Sequence, residues 1–419
     1  MAGQGGQGGQ RAVITGVGVV APNGIGNETY WGNTRKGVSG VKKIERFDPA
    51  KYATQVAGVV EGFEPTDYID KRLMVQTDNW TWMALAATQL ALDDAAFDTS
   101  AAEADRMSVV TASSSGGNEF GQREIQSLWA KGPKFVGAYQ SIAWFYAATT
   151  GQVSIKHGMK GACGVIVSEQ AGGLDALALA RRQISRGEAD AVVSGGTEAP
   201  IGPYAIACQQ ALGLMAEGDD PDTAFRPFSA FAHGYVPGEG GAILLVESLE
   251  KARARGAGQV YAEVLGHAAT NDAANVAAPA ADGRYYARAI ELALADAGVS
   301  PDEVDVVFAD GFGTPEADAA EAAALRQVFG SRAGSVPVTA PKSMTGRLYA
   351  GGSALDAATA ALAIADGYIP PTVNVGETAA GLGLDVVTEG RAQPVDTVLV
   401  AARGAGGFNS ALVLRRVTE

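Results

Sequence analysis

The segment from Gly164 to Leu177, GVIVSEQAGGLDAL, carries the residues best placed to do chemistry. It reads as a buried strand, a tight turn and the opening of a helix. That arrangement usually presents a nucleophile, with its reactive atom held at a helix N-terminus. The apex residue here is Gln170. An amide cannot accept an acyl group as a thiol or hydroxyl does, and it has no useful acid–base strength near neutrality. The turn therefore has the form of an acyl-transfer site without the acceptor atom. Cys163 and Cys208 do not stand at Gly-flanked turns and read as free core thiols. His157, His233 and His267 are scattered, and no Cys/His cluster with metal-ligand spacing occurs, so no metal is expected. Gly238-Glu239-Gly240-Gly241 is not a phosphate loop, because the G-x-x-x-x-G-K-[ST] pattern is missing; close backbone packing suits it better.

The elements that must position this turn recur in the chain. Arg11 to Val20 is a buried-strand run that ends in the turn residues Ala21-Pro22-Asn23-Gly24, and Thr29 to Lys36 suits a helix. Ala84 to Ala96 reads as an alanine-rich helix, followed by an apolar strand at Met107 to Thr111 and then Ser113-Ser114-Ser115-Gly116-Gly117. The same order returns with the helix Tyr286 to Ala297, the strand Asp305 to Ala309 and Asp310-Gly311-Phe312-Gly313-Thr314. A helix opening at Leu174-Asp175-Ala176 leads to the strand Asp190 to Val193, and one opening at Leu355-Asp356-Ala357 leads to Asp396 to Val400. This is a two-fold duplication of a βαβ-like unit, in which each half needs the other to cover its sheet. Residues 11–255 form the expected first half and 256–419 the second, joined near a basic surface helix at Glu250 to Gly258.

Composition limits the partners. The chain has 419 residues, too many for one ordinary hydrophobic core. Its net charge of -14 argues against nucleic acid, which needs a basic surface. No apolar run of about 18 residues exists, so no membrane span is expected. Residues 1–10 are almost all Gly and Gln and read as a disordered leader. Two cysteines make no disulfide framework, and a cytoplasmic protein is the expectation.

The duplicated order resembles the thiolase-fold ketosynthases. It is most similar to the chain-length factor, or ketosynthase β-subunit, of bacterial type II aromatic polyketide synthases. The resemblance runs from about Arg11 to Arg416. It rests on TGVGVVAPNG from Thr15, AWFYAATTGQVSIKHGMKG from Ala143 and VSEQAGGLDAL from Val167. FRPFSAFAHGYVPGEGGAILLVE from Phe225, FADGFGTPEADAAEA from Phe308 and VTAPKSMTGRLYAGG from Val338 extend it. The implied fold class is α/β: a thiolase fold whose duplicated βαβ-type halves form a layered αβαβα body.

Active members of that family carry a Cys-His-His set. The resemblance places Gln170 where the cysteine stands, and Asp310 and Arg347 where the two histidines stand. Lys342, Asp318 and Glu321 remain beside them. Gln170 is then either a polar plug that caps the helix end or an amide that helps decarboxylate malonyl thioester as an oxyanion-hole donor. The plug is preferred, since an amide has no useful pKa. Asp310 and Arg347 are expected to pair, with Lys342 in the same charge network, because an unpaired buried arginine is costly. The alternative is that Arg347 binds a thioester carbonyl or carboxylate.

From Gly116 to Trp129, Asn118, Gly121 and Ile125 fall at helical spacing on one face. The resemblance makes that face the lining of a tunnel at a heterodimer interface. Its lack of aromatic residues suggests a deep cavity and longer products. The implied function is the non-condensing, chain-length-determining subunit of a ketosynthase heterodimer. Its partners would be a ketosynthase α-subunit and an acyl carrier protein, whose phosphopantetheine arm delivers malonyl and poly-β-ketoacyl thioesters; no intrinsic cofactor is implied. Two rivals stay open: a stand-alone thiolase-fold acyltransferase or malonyl decarboxylase, and a purely structural scaffold.

Overall fold

The structure is a computed structural model and describes residues 9–418. The leader expected at residues 1–10 therefore lies outside the described residues, apart from Gly9 and Gln10. The chain is built around one sheet of two equivalent halves. The first half contains β1 (Ala12–Ala21), helix α1 (Asn79–Asp94), β2 (Met107–Ala112), α2 (Asn118–Lys131), α3 (Ala148–His157), β3 (Cys163–Ile166), α4 (Gly172–Ser185), β4 (Ala191–Glu198) and β5 (Gly240–Ser248). The second contains β6 (Ala262–Asn271), α5 (Arg284–Ala297), β7 (Val306–Phe308), α6 (Pro315–Phe329), β8 (Pro337–Thr339), α7 (Ala350–Asp366), β9 (Asp385–Val386), β10 (Thr397–Gly404) and β11 (Phe408–Arg415).

The duplication read from the sequence is present in the topology. The first half runs β3-β2-β4-β5-β1 across the sheet and the second β8-β7-β10-β11-β6, the same order within each unit. In both, the first three strands are parallel and the last two join antiparallel. The halves meet where β1 pairs with β6, at Val13 with Glu263 and Ile14 with Ala262. Helices α4 and α7 cross each other and touch strands of both halves, so they form a middle layer. Helix α1 covers the outer face of the first half, and α5, with α6 beside it, covers the second. This gives the αβαβα body expected of the thiolase fold.

Side-chain size sets how closely these layers approach. Every residue of β1 is buried, which is why it reads as an unbroken apolar run rather than an alternating one. A Cβ on Gly18 would lie 1.9 Å from the Ala87 carbonyl oxygen of α1, so glycine lets an alanine-rich helix lie directly on the strand. Helix α7 is buried at fifteen positions from Ala350 to Ile364, and its small residues allow contact on all sides. Gly173 on α4 sits where a Cβ would come 2.3 Å from the Ala354 nitrogen of α7.

Two expectations need correction. The strand before the Gln170 turn is not buried. β3 is an edge strand, bonded only to β2 among the described residues, and Cys163 on it is exposed. Cys208 is exposed as well, so neither thiol is in the core. The apolar run of β3 misled because an edge strand that awaits cover has the composition of a buried one.

The helix crossing yields a stability prediction. Gly173→Ala forces α4 and α7 apart, and overpacking of this kind costs about 1–3 kcal/mol. Urea unfolding should show a lower midpoint with an unchanged slope.

Candidate functional site

The turn at Gln170 forms as the sequence suggested. β3 ends, a single 3₁₀ turn covers Glu169–Ala171, and α4 begins at Gly172. The backbone strain lies at Glu169, with φ of 48°, one residue before the apex. Ser168 donates to Asp175 at 2.6 Å, which ties the turn to the first turn of α4. Asp175 also accepts from Ser410 at 2.7 Å and lies 3.0 Å from His267 Nε2, so both halves hold it.

Gln170 is completely buried, and among the described residues neither its Oε1 nor its Nε2 has a hydrogen-bond partner. It therefore does not cap the helix, as the plug reading supposed. Its amide lies over Gly352, where a Cβ would come 2.4 Å from Nε2. Gln170 fills space that glycine leaves.

Asp310 and Arg347 form the expected ion pair, at 3.0 Å and almost completely buried. The pair has a third member that sequence reasoning missed. Arg403, at the end of β10, donates from Nε to Asp310 at 3.0 Å and from Nη2 to Glu321 at 3.1 Å. Its backbone carbonyl accepts from Arg347 Nη2 at 3.0 Å. Glu321 also accepts from Tyr286 Oη and the Asp310 nitrogen, each at 2.8 Å. The clue was present in TVLVAARG, a lone arginine at the end of an otherwise apolar strand.

Lys342 belongs to the network at one remove. It pairs with Asp356 on α7 at 2.8 Å and donates to the carbonyl of Ala309, the residue before Asp310. The centre thus balances Arg347, Arg403 and Lys342 against Asp310, Glu321 and Asp356. Burial pushes the Asp310 carboxyl up, but Arg347, Arg403 and Lys342 together hold it below its ordinary value. Asp318 lies outside the pairs. It accepts from the nitrogens of Phe228 and Gly313, and burial raises it to about 7.

Two cavities adjoin the turn. One, of about 30 Å³, is lined by Glu169, Tyr235, Phe312, Arg347, Tyr349 and Ala405, among others. It leaves little free volume beside Arg347. Arg347 stacks on Phe312, 4.5 Å from the ring centre. The second cavity, of about 430 Å³, is lined by Ser114, Ser115, Asn118, Trp144, Tyr146, Tyr204, Tyr349 and Phe408, among others. Gln170 lines neither.

The three proposed tunnel residues lie on α2 but in different surroundings. Asn118 lines the larger cavity. Gly121 is buried, and a Cβ there would meet Trp144 Cδ1 at 3.0 Å. The indole thus takes up the room that the missing side chain was expected to leave. Ile125 is 49% exposed, beyond the cavity. Around them Trp129, Phe135 and Phe145 are 83%, 60% and 54% exposed, which is surface rather than core.

Behind the larger cavity lies Glu198, also unforeseen. This buried carboxylate accepts from the Ser115 hydroxyl at 2.6 Å and from the nitrogens of Ser114 and Ser115, pinning the loop that leads into α2. Burial raises its pKa to about 7, against these hydrogen bonds. Among the described residues no group of three His, Cys, Asp or Glu could hold a metal ion, and no helix is long and apolar enough to cross a membrane.

Known proteins share this architecture. The β-ketoacyl synthase N-terminal domain family matches residues 10–252, and the corresponding C-terminal domain family matches residues 261–376. The tetracenomycin polyketide synthase ketoacyl synthase beta subunit of Streptomyces glaucescens is 52% identical over 406 residues, covering 96% of this chain and 98% of that protein. The ishigamide ketosynthase/chain length factor structure superposes with a TM-score of 0.91 at 32% identity, covering 98% of this chain and 100% of that one. A type II polyketide synthase acyl-carrier protein in complex with its ketosynthase, bound to the hexaketide, gives a TM-score of 0.89 at 32% identity, again covering 98% and 100%.

Two measurements test the site. Arg403→Met leaves Asp310 and Glu321 short of a cation in a dry interior. Breaking a buried pair costs about 3–5 kcal/mol, so denaturant unfolding should show a loss of that size. For Glu198 the folded pKa lies above the unfolded one. Its stabilising contribution is present below the unfolded value and is lost as pH rises through about 7. Wild type should therefore lose ground to Glu198→Gln in thermal unfolding between about pH 5 and about pH 8.

Proposed function

This chain belongs to the β-ketoacyl synthase family, on its polyketide ketosynthase β-subunit branch, and we infer that it is the non-condensing, chain-length-determining half of a ketosynthase heterodimer. The observation that carries this reading is the filled centre. The position of the attacking atom holds a buried amide, and the two positions beside it hold a bound ion pair. The cavity next to them is small, about 30 Å³. The stand-alone acyltransferase reading loses its site by the same observation.

What remains open is the face toward a partner. It offers an edge strand with free hydrogen-bonding groups, exposed aromatics on and after α2, and the larger cavity between them. We assign to that face an active ketosynthase α-subunit, which would supply the cysteine and both histidines. An acyl carrier protein would bring malonyl and growing poly-β-ketoacyl thioesters on its phosphopantetheine arm to the partner's centre. The cavity at Asn118 would then be this chain's share of the tunnel, with Trp144, packed against Gly121, in its wall and Ile125 on the exposed surface outside it. A cytoplasmic location fits this role. Gln170 acts as filler in this scheme.

The test is reconstitution. Co-expressed with a ketosynthase α-subunit, the chain should elute as a heterodimer burying about 2,000 Å² or more, and Phe145→Asp should abolish co-purification. A stable monomer at micromolar concentration in light scattering would overturn the reading. In the complex, Gln170→Ala should leave product flux unchanged. A large drop with assembly intact would instead give Gln170 a part in malonyl decarboxylation.

A further inference from the structure

Glu169, Tyr349 and Ala405 each line both cavities, the one of about 430 Å³ at the partner face and the one of about 30 Å³ beside Arg347. These three residues are therefore the partition between them. They come from three separate segments: the turn after β3, the residue before α7, and the loop after β10. Ala405 donates its backbone N–H to Glu169 at 2.8 Å, which closes one side of the partition. Tyr349 is half-buried and lines both cavities, and it is the only aromatic ring of the three.

Both of the larger members are held in a backbone conformation that side-chain-bearing residues rarely adopt. Glu169 and Tyr349 each have φ of 48°. Strain of this kind persists only where the surroundings impose it, and it concentrates at sites with a task. Here the strain aims two side chains into one wall.

We propose that the Glu169–Tyr349–Ala405 partition is the end wall of the product tunnel and a determinant of chain length separate from α2. This rests on the proposed reading of the larger cavity as this chain's part of the tunnel. A growing poly-β-ketone that enters from the partner face meets Asn118 and the aromatic walls first, and the Tyr349 ring at the far end. Behind that ring lies the space beside Arg347, cut off from the chain. Removing the ring joins the two spaces and lets a longer chain fold inside before it must be released.

The experiment opens the wall without adding strain. Glycine adopts positive φ at no steric cost, so Tyr349→Gly and Glu169→Gly both suit the backbone already present. Each variant is co-expressed with the ketosynthase partner, the heterodimer is checked by size-exclusion chromatography, and the products are sized by mass spectrometry. Asn118→Phe, which narrows the same cavity from α2, is run in parallel. The expected result is longer products, by one or more extension units, from Tyr349→Gly or Glu169→Gly, and shorter products from Asn118→Phe. Native-length products from both glycine variants, with Asn118→Phe still shortening them, overturn the end wall and leave the tunnel standing. Native-length products from all three variants overturn the tunnel reading and the end wall with it. The two glycine variants approach the wall from different segments, so failure of one to assemble leaves the other to decide.

Discussion

Six charged side chains are held together almost without water, and the second half of the molecule is arranged around them. Asp310 follows β7, Glu321 lies on α6, Lys342 and Arg347 lie between β8 and α7, Asp356 is on α7 and Arg403 ends β10. Such a network is stable only when complete, because a missing partner leaves a charge with neither water nor counter-ion. It fixes where the strand ends and helix starts must converge. It also reaches the first half: Arg403 is followed by Gly404, where a Cβ would lie 2.6 Å from the Ser168 carbonyl oxygen, and by Ala405, which binds Glu169. The shape of the turn at Gln170 thus depends on charges contributed by the other repeat.

The same network explains how a centre with this geometry can be chemically silent. Condensation would need a thiol and neutral imidazoles with access to substrate. The buried groups at and beside this turn are instead an amide, a carboxylate and a guanidinium, the last two satisfied by each other and by Arg403. Gln170 is the exception within this economy of paired groups. A buried amide without partners costs about 1–3 kcal/mol in lost hydration. The strained Glu169 adds to that at the neighbouring position.

Much of this was legible in the sequence. The duplicated helix–strand–glycine order predicted two equivalent halves, and the topology repeats strand for strand. The spacing around Gln170 gave the turn, and the family resemblance, by bringing Asp310 and Arg347 to one centre, implied the ion pair. Other features were hidden for physical reasons. Arg403 lies 93 residues from Asp310 in the chain and bonds it only because parallel strands bring their ends together. Glu198 is invisible as a loop anchor because its partners are backbone nitrogens, which carry no sequence signal. The exposure of Cys163 escaped because an edge strand awaiting a partner and a core strand are composed alike. Gly121 suggested empty space, but Trp144, distant by 23 positions, returns across it.

A subunit that limits chain length need not contribute a reacting atom; it has to supply a boundary that does not yield. The stiffness of the candidate boundaries differs. On α2 the lining residues are backed by a helix whose only buried residues are Phe120 and Gly121, and whose far end is exposed at Trp129. Tyr349 immediately precedes α7, a helix buried at fifteen successive positions, and it shares the lining of the smaller cavity with Arg347 of the ion pair. A wall anchored on close-packed small residues and complete charge pairs has few ways to move, since interiors packed at crystal density transmit strain rather than absorb it. The filled centre then has a mechanical consequence as well as a chemical one. The ion pairs of the centre stiffen the surface against which a growing chain would stop.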